Sequence, residues 1–206
     1  MGNKKVDVTT EEKIKEAART IFHRKGYAAT RTRDIAEEAN INLALLNYYF
    51  RSKKKLFDII MLETVSEFFQ SMIPVLNDEN SSLDQKVKLI TSNYIGFITE
   101  GPNLPIFMLS EIRYNVDGLL EKLPIKPLVM NSIFLKQYQE AVTKGKIAEP
   151  NPLQFLINLL SLIIFPFIAK PLLQEVGEVD DTQFDTMMQE RRELIPVWVK
   201  AMIRTE

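Results

Sequence analysis

Between Thr32 and Lys53 the sequence concentrates side chains that bind nucleic acid rather than side chains that catalyse a reaction. The amide of Asn47 matches the donor and acceptor pattern of an adenine edge in the DNA major groove. Hydroxyl and ammonium groups donate hydrogen bonds to phosphate oxygens, and the segment offers them at Thr32, Tyr48, Tyr49 and Lys53. The pattern therefore predicts a short surface that reads bases and holds the DNA backbone.

The first of two predicted short helices begins at Thr32. Its hydroxyl is placed to cap that helix and, because helix N-termini attract anions, to touch a phosphate as well. Ile35 and Ala36 fall on the apolar face, and Ala36 is small enough for a second helix to cross closely. Asn40 suits the left-handed conformation of a tight turn, and Asn42 is expected to cap the next helix. This spacing predicts a helix-turn-helix.

The second helix presents an unusual outer surface. Leu46 and Phe50, four residues apart, are expected to anchor it inward. The residues left pointing outward or sideways are Leu43, Ala44, Leu45, Asn47, Tyr48 and Tyr49. Because exposed Leu and Tyr suit thymine methyl groups and phosphates, the candidates for direct base contacts are Leu43, Ala44, Leu45 and Asn47. An ordinary helical hairpin is the alternative, and the flanking sequence decides between the two.

Residues 13–57 resemble the N-terminal DNA-binding domain of the TetR family of transcriptional regulators. The resemblance is carried by Ile14, Ala17, Ala18, Phe22, Gly26 and Tyr27, by TRTRDIAEEANIN at 30–42 and by LLNYYFRSKKKLF at 45–57. It implies an all-α fold, with a helix-turn-helix domain over residues 1–52 and a larger helical regulatory domain over residues 53–206. It also implies that Arg33 can reach a base. Ser52 is expected to cap the following helix, where Lys53 and the backbone amides form a phosphate clamp.

One stretch departs from that family. Many members have Lys-Gly-Thr-Leu-Tyr where this chain has Leu-Ala-Leu-Leu-Asn at residues 43–47. The phosphate contacts are expected to survive this change, whereas the base preference cannot be transferred from relatives. We expect more van der Waals contact with thymine methyl groups.

The distribution of charge singles out the same region. Residues 1–56 hold 13 Lys/Arg and 7 Asp/Glu, a net charge of +6, and the remaining residues hold 13 and 20, a net charge of −7. A basic N-terminal part on an acidic body predicts that only the former meets a polyanion. The chain has no cysteine and a single histidine, His23, so neither a metal site nor another cofactor is expected. The first residues lack the apolar segment of a signal peptide, which predicts a cytoplasmic protein.

Beyond the motif, the pattern of apolar residues is helical throughout. A long helix is predicted from Lys53 to about Leu76 and is expected to connect the two domains. A loop follows over residues 77–82. Before the motif, a first helix is predicted from about Thr10, its N-cap, to Lys25, where Gly26 closes it. After the loop, Ser82 is expected to cap a helix that extends to about residue 100. Further helices are predicted at 104–114, 127–145, 153–173 and 182–204, and residues 115–124 are not assigned. No alternating β pattern occurs, so a sheet is not expected.

The stretch from residue 153 to 169 is apolar on nearly every side. It is shorter than the roughly 20 residues of a membrane span, and Gln154, Asn158, Ser161 and Pro166 interrupt it. We therefore expect no membrane insertion, but burial against the domain on one side and a second subunit on the other. The family resemblance implies the same, because the last two long helices of its members form a four-helix dimer interface. The interface candidates are Leu156, Leu160, Ile163, Phe167, Met187, Trp198 and Met202, with membership of a monomer core as the alternative.

The resemblance further implies an effector held among the middle helices, whose binding changes the separation of the two recognition helices. The aromatic and apolar candidates for such a pocket are Phe69, Tyr94, Phe97, Phe107, Met108, Tyr138 and Phe165. For each of these residues a position in the hydrophobic core is the more common alternative. A lining of this kind would suit a hydrophobic small molecule.

Three classes of function follow. The first is a homodimeric transcriptional repressor that a small hydrophobic ligand releases from a palindromic operator in double-stranded DNA. The second is a DNA-binding regulator without an inducer, controlled by a protein partner or acting architecturally. The third, an enzyme, is rejected because the sequence contains no nucleophile elbow, P-loop, H-E-x-x-H motif or Cys/His pair.

Overall fold

The computed structural model describes residues 9–123 and 125–203, and within these ranges the chain folds into helices without a β-sheet. The predicted all-α class is confirmed. The helices are α1 Thr10–Ala29, α2 Thr32–Glu38, α3 Leu43–Tyr49, α4 Lys53–Asn77, α5 Leu83–Glu100, α6 Leu104–Tyr114, α7 Val116–Lys122, α8 Ile125–Met130, α9 Ile133–Thr143, α10 Pro152–Ile168, α11 Lys170–Gly177 and α12 Asp181–Ile203.

The described residues form two compact units, and the division falls between residues 65 and 66. The sequence-based division after residue 52 follows the end of the helix-turn-helix. In the structure the first part of α4 packs instead with the N-terminal helices, because Leu56, Phe57, Ile60 and Met61 are buried there. Helix α4 is therefore shared by the two units. It is also long and apolar enough to satisfy the composition criteria of a membrane span, as core helices often do.

Local sequence signals explain α1. Its N-cap is Thr9, whose Oγ1 accepts the backbone N–H of Glu12 at 3.2 Å. The predicted cap, Thr10, is instead the first residue of the helix. Gly26 has φ 71°, a left-handed conformation that costs glycine little, and it interrupts the regular helix where the sequence predicts its end.

The N-terminal unit is held by an aromatic contact and by ion pairs between α1 and α4. The rings of Phe22 and Phe57 meet edge to face with their centroids 5.0 Å apart. Lys15 Nζ lies 2.9 Å from Glu63 Oε1, and Arg19 Nη2 lies 3.3 Å from Glu63 Oε2. The hydrogen bond to Glu63, aided by one to Glu12, raises the pKa of Lys15. These side chains fix α1 against the first part of α4.

The second unit is built around α5, α10 and α12. Ser82 caps α5 by accepting the N–H of Gln85 at 3.3 Å, as predicted. The buried core of this unit includes Ile95, Phe155, Ile163, Phe184 and Ile195. Residues three or four apart along each of these helices face this core, which is the pattern expected of amphipathic helices.

Two predicted helices are each divided in the structure. Ser132 caps a new helix by accepting the N–H of Leu135, so the segment predicted at 127–145 becomes α8 and α9. The segment predicted at 153–173 ends at Ile168, and the chain bends by 71° into α11. Residues 116–122 of the stretch left open form α7. The predicted last helix is present as α12, although its expected end at Arg204 lies outside the described residues.

Candidate nucleic-acid interface

The structure corrects the cap predicted for α2. Arg31 is the N-cap residue, and Thr32 is the first residue of the helix, half-buried. The backbone N–H of Arg31 donates to Asp34 Oδ2 at 3.0 Å, and Lys25 Nζ lies 3.1 Å from the same oxygen. These contacts, the backbone hydrogen bond first, hold the pKa of Asp34 below its usual value. Thr32 remains at the helix N-terminus, and Arg33 beside it is exposed.

The turn between α2 and α3 forms as predicted. Asn40 has φ 52°, the left-handed conformation that asparagine tolerates. The backbone N–H of Ile41 donates to Ala36 O at 2.9 Å and closes the turn. Asn42 Oδ1 accepts the N–H of Leu45 at 2.8 Å, which confirms Asn42 as the cap of α3. The backbone of the helix-turn-helix is therefore determined by contacts between neighbouring residues.

Helix α3 has a buried and an exposed side. Leu46 is 1% exposed and Phe50 is buried beside it, as the sequence predicts. Ala44, Asn47 and Tyr48 are exposed, and Tyr48 reaches 79%. We call Ala44, Asn47 and Tyr48 the recognition face. It is the part of this short helix that can enter a groove.

The other predicted contact residues of α3 flank the recognition face. Leu43 and Leu45 are half-buried, so only part of each side chain is available to a base. Tyr49 is 40% exposed, and its ring meets that of Tyr48 edge to face at 5.4 Å. All the predicted α3 residues thus lie in one region. The side chains of the recognition face are exposed to solvent, and those that flank it are partly covered by protein.

Lys53 has a role that the sequence alone did not indicate. Its Nζ donates to the backbone oxygens of Tyr27 and Thr30 at 2.9 and 2.8 Å, and it lies 4.2 Å from the centre of the Tyr27 ring. An ammonium group has three N–H donors, so one remains for a phosphate. Lys53 therefore ties the start of α4 to the α1–α2 connection, and its predicted phosphate contact stays a prediction.

Replacing Lys53 with Met is expected to destabilise the N-terminal unit by about 1–3 kcal/mol, because two carbonyl oxygens lose a charged donor. Affinity for all DNA sequences should fall with it. The matched control is Lys54→Met, since Lys54 is exposed and pairs with Asp58 one turn away. That variant should at most lower the salt dependence of DNA binding by about one unit. Equal urea-unfolding midpoints for the two variants would contradict the positioning role of Lys53.

The predicted pocket residues differ in exposure. Tyr138 is fully buried, and its hydroxyl donates to Glu149 O at 2.6 Å. Phe107 is buried as well, so both residues belong to the core, which was the stated alternative. Phe165, in contrast, is 59% exposed on α10.

Three further pocket candidates, Phe69, Tyr94 and Phe97, lie around Phe68. The ring of Phe68 stacks on Phe97 with centroids 4.1 Å apart, meets Tyr94 edge to face at 4.7 Å and lies 5.8 Å from Phe69. Burial raises the pKa of Tyr94 to about 12. The rings of this cluster therefore contact one another. The last candidate, Met108, is half-buried on α6. A pocket among the middle helices stays a prediction.

The predicted interface residues divide by exposure. Ile163 is 1% exposed and faces the core of its own subunit, so it cannot contact a partner. Leu156 and Phe167 pack partly against the same core, and Leu160 is half-buried. The exposed candidates all lie on α12, and they are Met187, Trp198 and Met202. On α10, Leu153 and Ile157 are exposed as well as Phe165, and sequence reasoning missed these two although they lie four residues apart.

Sequence reasoning also missed a groove of about 760 Å³ along α10, α11 and α12. Its lining is mostly apolar, and Ser161 and Arg191 are the polar residues in it. The one sequence signal for it is Pro166 inside a helix, which leaves a carbonyl oxygen without its usual partner. In the described part of the chain, no group of three His, Cys, Asp or Glu residues is placed to hold a metal ion.

Comparison with known sequences agrees with this geometry. Residues 14–60 match the model of the bacterial regulatory proteins of the tetR family. The chain is 25% identical, over 96% of both sequences, to the “Probable HTH-type transcriptional regulator YttP” of Bacillus subtilis. It is 29% identical over 121 residues, 55% of this chain and 62% of the other, to IcaR of Staphylococcus aureus, a negative transcriptional regulator of the biofilm operon icaADBC.

Comparison with solved structures supports the fold. A TetR transcription regulator from Haloarcula marismortui superposes with a TM-score of 0.66 at 18% identity, over 95% of this chain and 98% of that one. A regulator of the TetR/AcrR family from Thermobifida fusca gives a TM-score of 0.63 at 18% identity, over 90% and 96%. The architecture of these regulators therefore extends over most of the chain.

Proposed function

The chain belongs to the TetR family of DNA-binding transcriptional regulators, which are not enzymes, and from that membership we propose that it is a homodimeric repressor released from a palindromic operator by a small hydrophobic ligand. The observation that carries the DNA-binding part is the arrangement of α3. Its inner side is anchored by Leu46 and Phe50, while Asn47 and Tyr48 are exposed beside it. A helix held in this way can place a few side chains against base edges with little conformational freedom.

Asn47→Ala is expected to lower the affinity for the operator by about 1–3 kcal/mol while leaving non-specific binding nearly unchanged. The amide of Asn47 is exposed and can pair with a base edge, whereas phosphate contacts do not depend on base identity. The operator is first found by selecting random duplex DNA with the purified protein. Binding is then measured for operator and scrambled duplexes, with Lys54→Met as the control, which removes an exposed charge outside α3. Equal losses on both duplexes would show that Asn47 does not read a base.

The exposed apolar residues of α10 and α12 support the proposed homodimer. Leu153 and Ile157 on α10, and Leu194, Trp198 and Met202 on α12, are large side chains left in contact with water. On α12 their spacing of four residues, and four again, aligns them on one side of the helix. Two helices from each of two subunits would bury these residues together. A two-fold dimer would also place two recognition faces in successive major grooves of a palindrome.

Repression is proposed by similarity. IcaR of Staphylococcus aureus is a negative regulator, and a dimer bound at an operator can exclude the transcription machinery from the same DNA. The test places the selected operator between a promoter and a reporter gene in a bacterial cytoplasm, where we propose that the protein acts. Expression of the protein should lower the reporter signal, and Asn47→Ala should restore it. An increase in reporter signal would indicate an activator.

A regulator controlled by a protein partner is the second candidate, and one observation favours it. Two residues predicted to line the effector pocket, Phe107 and Tyr138, are buried core residues instead. Thermal unfolding of the purified protein against a panel of hydrophobic small molecules distinguishes the two candidates. A ligand that raises the melting temperature and lowers operator affinity supports the induced repressor. A panel without such a compound, combined with a partner protein that releases the operator, supports the second candidate.

A further inference from the structure

The groove along α10, α11 and α12, which we call the α10–α12 groove, combines an apolar lining with one positive charge. Leu162 and Phe165 line it from α10, Val176 from α11, and Phe184 and Met187 from α12. Its volume of about 760 Å³ lies within the range of small-molecule sites. Arg191 on α12 is the charged residue in its lining.

Arg191 is held in place by a backbone oxygen of α10 that a proline leaves without its usual donor. The carbonyl oxygen of Leu162 would normally accept the N–H of the residue four positions later, but that residue is Pro166 and has no N–H. Arg191 Nη2 donates to this oxygen instead, at 2.6 Å. The guanidinium also lies over the ring of Trp198, 5.1 Å from its centre. The positive charge is therefore fixed at the groove rather than mobile in water.

Among the described residues, no carboxylate balances the charge of this guanidinium. Arg191 Nε is buried and makes no hydrogen bond to the described residues. The ion pairs found in the described part of the chain do not include Arg191. Burial lowers the pKa of Arg191, as expected when a cation is withdrawn from water without a counter-ion. A partly buried cation without a counter-ion favours the binding of an anion.

We propose that the α10–α12 groove binds an amphipathic carboxylate, with its apolar chain on the α10–α12 side chains and its carboxylate on Arg191. This inference rests on the proposed function, because it gives the effector a site and a chemical class. A neutral hydrophobic molecule would fill the groove but leave the cation unpaired, and a cationic amphiphile would be repelled. The groove involves the same two helices as the exposed apolar residues proposed for the dimer, so a ligand there can alter subunit packing.

The head-group test uses three probes that share one twelve-carbon chain, dodecanoate, dodecanol and dodecyltrimethylammonium, each below its aggregation limit. Binding to the purified full-length protein is measured by calorimetric titration without DNA. Dodecanoate is expected to bind about tenfold or more tightly than either of the other two, the effect of a hydrogen-bonded charge. Equal affinities for the three probes would overturn the proposal, because the groove would then select only for apolar surface.

Two substitutions test the position of the carboxylate. Arg191→Met should abolish the preference for dodecanoate, but the loss of the bond to Leu162 O can also unfold the protein. Met187→Glu avoids that difficulty, because Met187 is 45% exposed in the groove wall. It should remove the preference for dodecanoate, because a carboxylate four residues from Arg191 can pair with its guanidinium. The matched Met187→Lys should strengthen dodecanoate binding. Unchanged preference in both Met187 variants would overturn the proposal.

A second copy of the chain is the competing occupant of the groove. Because the protein has no cysteine, Phe165→Cys introduces a single thiol at the groove mouth. Dodecanoate should slow the labelling of this thiol at protein concentrations where sedimentation shows no change in assembly. Labelling that responds to protein concentration and not to dodecanoate would overturn the ligand assignment in favour of subunit contact.

The same measurements separate this inference from the proposed function. Suppose that dodecanoate binding changes in the Met187 variants but that dodecanoate leaves the operator affinity unchanged. The ligand site would then be supported, and the proposal that a ligand releases the repressor would be rejected. If an operator is selected but dodecanoate does not bind to the protein, the proposal of a DNA-binding regulator stands and the ligand site in the α10–α12 groove is rejected.

Discussion

Replacing both Leu194 and Trp198 with glutamate is expected to leave a folded monomer that no longer distinguishes its operator from other DNA. These side chains are exposed in the single chain and lie on the side of α12 proposed to meet a partner. At position 194 the charge would have to be buried without a counter-ion, which is costly. At position 198, beside Arg191, the apolar ring that the proposed interface would bury is lost. Loss of the second recognition face should remove about 10³-fold or more of the preference for the operator.

Sedimentation equilibrium gives the assembly state of this variant, and binding to operator and scrambled duplexes gives its specificity. The matched control is Gln189→Glu, which adds a charge at an exposed position on the other side of α12. That control should remain dimeric and specific. A dimer formed by the double variant would place the subunit interface elsewhere on the molecule.

Replacing Leu46 with alanine is expected to destabilise the N-terminal unit by about 2–5 kcal/mol, the usual cost of removing a buried leucine side chain. Leu46 is 1% exposed and holds α3 against the other helices. Leu45→Ala is the matched control on the neighbouring residue, which is half-buried and should cost less. Operator binding should weaken in the Leu46 variant because α3 loses its fixed position.

The measurement uses two signals in urea unfolding. Trp198 is the only tryptophan, so its fluorescence reports the second unit, whereas circular dichroism reports helices in both. Leu46→Ala should lower the midpoint seen by circular dichroism. If Leu45→Ala and Leu46→Ala give the same midpoint, Leu46 is not the anchor of α3.

The parts of the candidate site that the sequence predicted correctly depend on neighbouring residues. The cap at Asn42, the left-handed turn at Asn40 and the inward positions of Leu46 and Phe50 involve partners within a few positions along the chain. Such signals have a fixed spacing, so residue type and position are sufficient to recognise them. The error at Thr32 is also local, since Thr9 and Arg31 show that either of two adjacent residues can begin a helix.

The features that the sequence did not reveal depend on residues far apart in the chain. Lys53 donates to carbonyl oxygens 26 and 23 positions away, and Arg191 donates to one 29 positions away. Nothing in the local sequence specifies which of several Lys or Arg residues will reach such an oxygen. The local sequence also did not reveal that Tyr138, predicted to line a pocket, is a core residue. The packing of other helices decides whether an apolar side chain lines a cavity or fills the core.

The sequence by itself thus determined the all-α class, the helix-turn-helix and the inward positions of Leu46 and Phe50. Periodicity and capping determine these features, and both are properties of short segments. Only the tertiary structure decided that Ile163 faces the core while Ile157 faces the solvent, and that Arg191 is held at an apolar groove. The sequence of a helix that is apolar on nearly every side does not indicate which side is buried, because the packing of the other helices determines this.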